Sequence, residues 1–176
     1  ENKQAIRDYL EPQQLVKIQA GASKLVFTVR GLLEARPDFV CVKTDIDNAF
    51  NEISRASIVE EYETAPSLKH MAQFTATTLT PVCLLEAGGV GWGETGEGVT
   101  QGAPEAGDNF SVGIQPSLVR LDEACRAGEG IAIGGADDIF AIGPPEVVLP
   151  VVERFRHVIR RRCGLQLQYS KSCLFT

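Results

Sequence analysis

Residues 131–143, IAIGGADDIFAIG, decide how this chain is read, because two adjacent aspartates, Asp137 and Asp138, stand inside an otherwise apolar run. Ile131 and Ile133 alternate with small residues, Gly134 and Gly135 permit a tight turn, and Ile139, Ala141 and Ile142 resume the apolar run. That spacing predicts a β-hairpin with both aspartates at its tip. Aspartate is also an ordinary turn residue, since its carboxylate bonds to its own turn backbone, so the pair alone points equally to a turn and to a metal site. A divalent cation such as Mg²⁺ takes several hard oxygen ligands, and two neighbouring aspartates rarely supply enough. A metal site here needs a third carboxylate from elsewhere in the chain.

FVCVKTDI, residues 39–46, supplies one. Its β-branched residues and its alternation of Phe39 and Cys41 with Val40 and Val42 predict a strand buried on both sides, with Asp45 at its C-terminal end. If that strand neighbours the hairpin, Asp45 meets Asp137 and Asp138. Three such carboxylates repel one another unless cations neutralise them. Two Mg²⁺ ions about 4 Å apart would do so, and such a pair is the machinery of phosphoryl transfer.

The rest of the chain bounds the possibilities. A length of 176 residues suits one domain with a real core, and 44% hydrophobic and 23% charged residues are ordinary for a globular protein. No apolar run approaches the ~20 residues of a membrane span and the N-terminus is polar, so an intracellular setting, nuclear or cytoplasmic, is expected. A formal charge of −6 argues against a free-standing nucleic-acid binder. The cluster Arg154, Arg156, Arg160, Arg161 and Arg162 reads as a solvated helix face. Five cysteines without a CxxC pair read as small core residues.

Residues 22–35 carry Leu25, Val26, Val29, Leu32 and Leu33 at helical spacing, predicting an amphipathic helix packed on a core. Ser57 and Glu60 resemble a capping box, and residues 67–79 present Leu68, Met71, Ala72, Thr75 and Leu79 on one helical face. A hairpin turning at Gly88 and Gly89 precedes a glycine-rich loop. The loop leads into a helix striped by Phe110, Ile114, Leu118 and Leu121, which Pro116 is expected to kink. Pro144 and Pro145 open a last helix that Gly164 closes, and residues 165–169 alternate as a strand. This order suits an α+β fold, an antiparallel sheet with helices packed on one face.

Four segments resemble reverse transcriptases, in that family's order. VKTDIDNAFNEISR (42–55) resembles their first palm motif, VTQGAPEAGDNFSVGIQP (99–116) their glycine loop and following helix, GGADDIF (134–140) their paired-aspartate motif, and GLQLQYSKS (164–172) the next motif along. The wording is most like non-LTR retrotransposon or group II intron enzymes. The resemblance implies a polymerase palm with a ferredoxin-like (RRM-like) βαββαβ core over residues 1–176. Residues 1–38 would be the remnant of a fingers–palm connection, with the basic fingers segment and the thumb outside the chain.

The resemblance further implies that Asp45, Asp137 and the backbone carbonyl of Ile46 hold two Mg²⁺ ions, with Mn²⁺ as a substitute, and that Asp138 stands alongside as a weaker ligand. The amides of Asn48 and Ala49 would face the triphosphate. Phe50 matches a steric gate against a 2′-hydroxyl, although on its own residues it reads as a core aromatic. Gln101 and Gly102 match the loop that contacts nucleotide and template. Lys171 matches a general acid for pyrophosphate, and a plain surface lysine would look the same. Gly135 departs from the family, which carries a large side chain there. The implied partners are dNTP, an RNA or DNA template with primer, and the fingers and thumb, with no membrane. Two other readings stand beside this one. The first is a silent palm kept as a nucleic-acid or protein platform; the second, a metal phosphohydrolase, would need His70 or His157 as base.

Overall fold

The hairpin that opened the sequence reading carries the sheet. In the computed structural model, which describes residues 2–15, 18–79, 83–87, 90–100 and 102–176, the chain runs α1 (Asn2–Leu10), α2 (Gly21–Ala35), β1 (Val40–Thr44), α3 (Ala49–Glu52), α4 (Arg55–Thr64), α5 (Ala72–Leu79), β2 (Cys83–Ala87), β3 (Val90–Thr95), α6 (Ala106–Arg126), β4 (Ile131–Gly135), β5 (Asp138–Gly143), α7 (Pro145–Cys163) and β6 (Cys173–Phe175). Strands β4, β5, β1 and β6 form one antiparallel sheet in that order, and β2 pairs with β3 apart from it. The turn expected at Gly88 and Gly89 lies outside the described residues. Counting only the four sheet strands, the order is that of a split βαββαβ, with the first and third strands adjacent at the centre.

One face of this sheet is the main core. Val42 of β1, Ala132 of β4, and Ile139 and Ala141 of β5 meet Phe110, Ile114, Leu118 and Leu121 of α6 and Val148, Val151, Phe155 and Ile159 of α7. The α6 stripe read from the sequence is therefore buried, and Leu68, Met71, Ala72, Thr75 and Leu79 are buried too. Helix α6 runs on through Pro116, and α7 ends at Gly164 with φ 75. The β4 edge is covered by residues 13–15, whose backbone pairs with Gly134 (Gly134 N–H to Gln13 O, 2.7 Å; Leu15 N–H to Gly134 O, 3.0 Å).

Four expectations need correction. Helix α2 forms as predicted but does not pack into the main core: it lies on the opposite sheet face, where Val29, Leu32 and Leu33 join Phe39, Cys41, Ile131, Phe140 and Ile142 in a small separate cluster. Val26 and Phe27 are left 61% and 72% exposed. The reason is alternation along β1, which puts Lys43 and Asp45 on that same face after Cys41, so little apolar surface remains to cover. Ser57 caps nothing: α4 begins at Arg55, and the Ser57 hydroxyl donates to the Ser54 carbonyl at 2.7 Å. The helix start is met instead by Glu97, which accepts from the Arg55 amide at 2.9 Å.

The last strand is residues 173–175, paired with β1, while 165–169 touches the sheet only through a bridge between Leu167 and Ile46. A 3₁₀ turn, Tyr169–Lys171, separates the segment expected as a strand from the strand that forms. The cysteines divide: Cys41, Cys125 and Cys163 are buried, whereas Cys173 is exposed on the edge strand. The arginine cluster is a helix face, as read, with two members in ion pairs, Arg162 with Glu61 at 2.7 Å and Arg156 with Glu153.

Candidate active site

Register places the acidic residues. Thr44 pairs with Ile139 and Lys43 with Phe140, so continuing the ladder by one residue sets Asp45 across from Asp138 at the same end of two central strands. Gly135 pairs with Asp138, leaving Ala136 and Asp137 as a two-residue turn. Of these only Ala136 has positive φ, at 63, the pattern of a II′ turn with alanine where glycine is favoured. The sequence thus brings Asp45, Asp137 and Asp138 to one end of the sheet through hydrogen-bond register alone.

Two of these three charges are balanced by lysines. Lys43 Nζ lies 2.8 Å from Asp138 Oδ1, and Lys171 Nζ lies 3.7 Å from Asp45 Oδ2. The Asp138 carboxylate holds the Lys43 ammonium above its ordinary pKa, and Asp45 adds to that field. Among the described residues no cation pairs with Asp137, and no three His, Cys, Asp or Glu side chains converge as a ready metal cage. Hard carboxylate oxygens are the donor type Mg²⁺ takes, but here they do not converge as a set.

The chain after α7 builds the other wall. Asp47 N–H donates to Gln166 O at 2.9 Å and Gln168 N–H to Asp45 O at 2.8 Å, flanking the Ile46–Leu167 bridge. In such a wide pair the intervening residue turns its own N–H and C=O away, so the Ile46 carbonyl is directed to the β5 side, towards the hairpin. The 3₁₀ turn that follows brings Lys171, 64% exposed, to Asp45.

On the far side of Asp45, Asn48 adopts a left-handed conformation (φ 44, ψ 37) and starts α3, with Ala49 buried behind it. Asn51 donates to the Asn48 side chain at 2.7 Å, which fixes that corner. Phe50 is half-buried and stacks on Phe110 with ring centroids 4.7 Å apart, so one face is held by the core and the ring cannot swing away.

Backbone bonds from Val99 to the Phe50 carbonyl (2.7 Å) and from Gly98 to the Ile53 carbonyl (2.8 Å) strap the glycine loop onto α3. Gly98 is required there: its φ is 78, and a Cβ would sit 2.2 Å from the Asn51 carbonyl oxygen. Gly102 also has positive φ, 94, but open space around it. Gln101 lies outside the described residues.

Several residues that matter were not singled out from the sequence. Lys43 was legible in principle, since it stands two positions before Asp45 on a strand and so shares its face. Arg55, buried, donates to the Gly98 carbonyl at 2.7 Å and the Leu79 carbonyl at 3.2 Å and so anchors the loop. Asp122, buried in α6, accepts from the Ala132 amide at 2.9 Å, from Arg126 at 2.8 Å and from Gln13 at 3.2 Å, tying α6 to β4. No local pattern announced either contact. Gly135 faces α2: a Cβ there would meet Leu25 Cδ2 at 3.2 Å.

No protein-family model and no curated protein matches the sequence. The fold, however, is similar to that of solved telomerases. Apo telomerase from Candida tropicalis truncated from its C-terminal domain superposes with a TM-score of 0.68 at 13% identity, covering 98% of this chain and 39% of that one. Telomerase from Candida tropicalis in complex with a TWJ fragment of telomeric RNA gives 0.69 at 13% identity, covering 98% and 33%. The Candida albicans complex with the same kind of RNA fragment gives 0.69 at 10% identity, covering 99% and 34%. The chain therefore spans about a third to two fifths of the length of these neighbours, and what it shares with them is the fold.

Proposed function

We propose that this chain is the palm portion of an RNA-directed DNA polymerase of the retroelement kind, performing template-directed transfer of a deoxynucleoside monophosphate onto a primer 3′-hydroxyl. The observation that carries the reading is the β1–β5 register, which sets Asp45 across from Asp138 beside the Asp137 turn, in a reverse-transcriptase-like fold. Asp45, Asp137 and the Ile46 carbonyl would hold two Mg²⁺ ions, with Asp138 close by. Bound there, the ions would supply charge stabilisation for the attacking and leaving oxygens of the phosphoryl group.

The chain's own residues would do the rest. Phe50, backed by Phe110, presents a rigid ring where a sugar would lie, and a ring that cannot yield leaves no room for a 2′-hydroxyl. Gly102, with open space above a backbone already in a glycine-only conformation, allows a base pair to approach the main chain. Lys171 stands next to Asp45 on an exposed turn, within reach of a leaving group, where its ammonium can give up a proton. Template, primer, dNTP and the fingers and thumb are the partners this reading calls for. Among the described residues no helix is long and apolar enough to cross a membrane.

Primer extension on an RNA template by the full-length protein tests the reading. Incorporation of dNTP well above rNTP is expected, and Phe50→Val should narrow that gap by about 10-fold or more, the scale on which pocket shape discriminates. Equal use of rNTP by the unmutated protein would refute the gate. A second reading, a silent palm kept for binding, is favoured by the lysine pairing of Asp45 and Asp138 and by Gly135 packed under Leu25. It predicts template binding that survives Asp45→Asn together with no extension by the native protein.

A further inference from the structure

A hollow of about 410 Å³ lies among α1, α4, α5 and the start of α6, and none of its residues belongs to the acidic end of the sheet. Its size falls within the roughly 300–1,000 Å³ of small-ligand sites. Tyr62 of α4, Thr75 of α5 and Asn109 of α6 line it and are only 2%, 4% and 3% exposed. Among the described residues none of these three side chains makes a hydrogen bond. The described side-chain atoms that are both sealed off and unpaired are Gln14 Oε1 and Arg162 Nε, so the polar atoms of Tyr62, Thr75 and Asn109 open onto the hollow. Burying an amide or a hydroxyl without a partner is costly, and here three such groups surround one space.

Charge and shape narrow what that space can take. Glu105 and Asp108, at the start of α6, stand on one wall, and Lys3 and His70, both exposed, are the basic residues among those described there. His70 is also held, its ring nitrogen 3.2 Å from Asn2 Oδ1. A phosphate would therefore meet two carboxylates, whereas an amino group is welcome. Burial and the Asp108 carboxylate raise the Tyr62 pKa, so its hydroxyl stays protonated and can donate as well as accept. Ile6 and Met71, buried, and Phe74, 67% exposed, supply apolar surface for a flat ring. The Asn109 amide offers a donor and an acceptor side by side, which match the amino and ring-nitrogen edge of adenine.

We propose that this hollow binds a phosphate-free adenine-type base or nucleoside, with Asn109 pairing with the amino and ring-nitrogen edge and Thr75 and Tyr62 bonding the polar atoms that remain. The inference is independent of the reading of the acidic end of the sheet.

Calorimetric titration of the chain with adenosine tests it. The native chain should bind adenosine, purine riboside, which lacks the amino group, should bind about 10-fold more weakly, and AMP about 5-fold more weakly. Asn109→Leu should weaken adenosine binding about 10-fold or more, and Thr75→Val and Tyr62→Phe about 3-fold each. Without adenosine, the same three substitutions should leave the urea unfolding midpoint unchanged or higher, since each removes a polar group that the fold does not pair.

No binding at about 1 mM adenosine means that the hollow holds water only and overturns the proposal. Adenosine binding that Asn109→Leu leaves unchanged, or AMP bound as tightly as adenosine, overturns it too. A fall of more than about 0.5 M in the urea midpoint for Thr75→Val and Tyr62→Phe would show that these hydroxyls serve the fold and not a ligand. If Asn109→Leu does not fold, native-like adenosine binding by both of those variants refutes the site.

Discussion

Asp122→Ala tests what holds the hairpin on the helices. The Asp122 side chain is 3% exposed and accepts three hydrogen bonds, the most consequential from the amide of Ala132, itself only 2% exposed. Truncation leaves that amide buried and unpaired, which costs roughly 1–3 kcal/mol. Loss of the charge-assisted bond from Arg126 adds about 0.5–1 kcal/mol, a small amount because the guanidinium is 57% exposed and well solvated. The Gln13 contact, long at 3.2 Å, adds a few tenths of a kcal/mol. The sum is about 3 kcal/mol.

With a urea dependence near 2 kcal/mol per molar, that sum moves the unfolding midpoint down by about 1.5 M. Urea titration followed by circular dichroism reads it directly. Asp122→Asn should fall between the two, about 1–2 kcal/mol, since the amide oxygen still accepts from Ala132 while the charge is lost. A midpoint shift under about 0.5 M for Asp122→Ala would show that the buried carboxylate is not what joins α6 to β4, and the account of how the hairpin is held would fail.

Two further substitutions probe the backbone at the site. Ala136→Gly should raise stability by about 1 kcal/mol in the same titration, because glycine removes the Cβ penalty of φ 63 at the turn; a loss of stability would mean the turn is not strained there. Gly98→Ala should cost several kcal/mol, roughly 3 or more, since the Cβ would lie 2.2 Å from a carbonyl oxygen in a conformation alanine avoids, and near-native stability would show that the loop shifts freely off α3.

Periodicity and punctuation were enough to recover the elements of the main core. The stripe Phe110, Ile114, Leu118 and Leu121, the prolines opening α7, the glycine closing it, and the hairpin itself are local events, decided within a few residues by side-chain spacing and backbone sterics, although the turn falls at Ala136 and Asp137 and not at Gly134 and Gly135, which extend β4. Helix α1 has no such signal, being mostly polar, and forms because Ile6 and Leu10 find cover in the core. The strand at 165–169 was misread because alternation continues through it, and only pairing with β1 shows that the ladder resumes at Cys173 after a 3₁₀ turn. Likewise the apolar stripe of α2 is plain in the sequence, but how much of it is covered depends on what β1 presents to it.

By itself, then, the sequence determined the helices and strands of the main core and which carboxylates are candidates, because those properties follow from the order of neighbouring residues. Tertiary structure alone decided that Asp45 stands across from Asp138, that Lys43 and Lys171 neutralise those two and leave Asp137 without a cationic partner among the described residues, and that Phe50 is braced by Phe110. These are contacts between residues distant in the chain. They are set by strand register and by the packing of helices on a sheet, and no local pattern encodes either one.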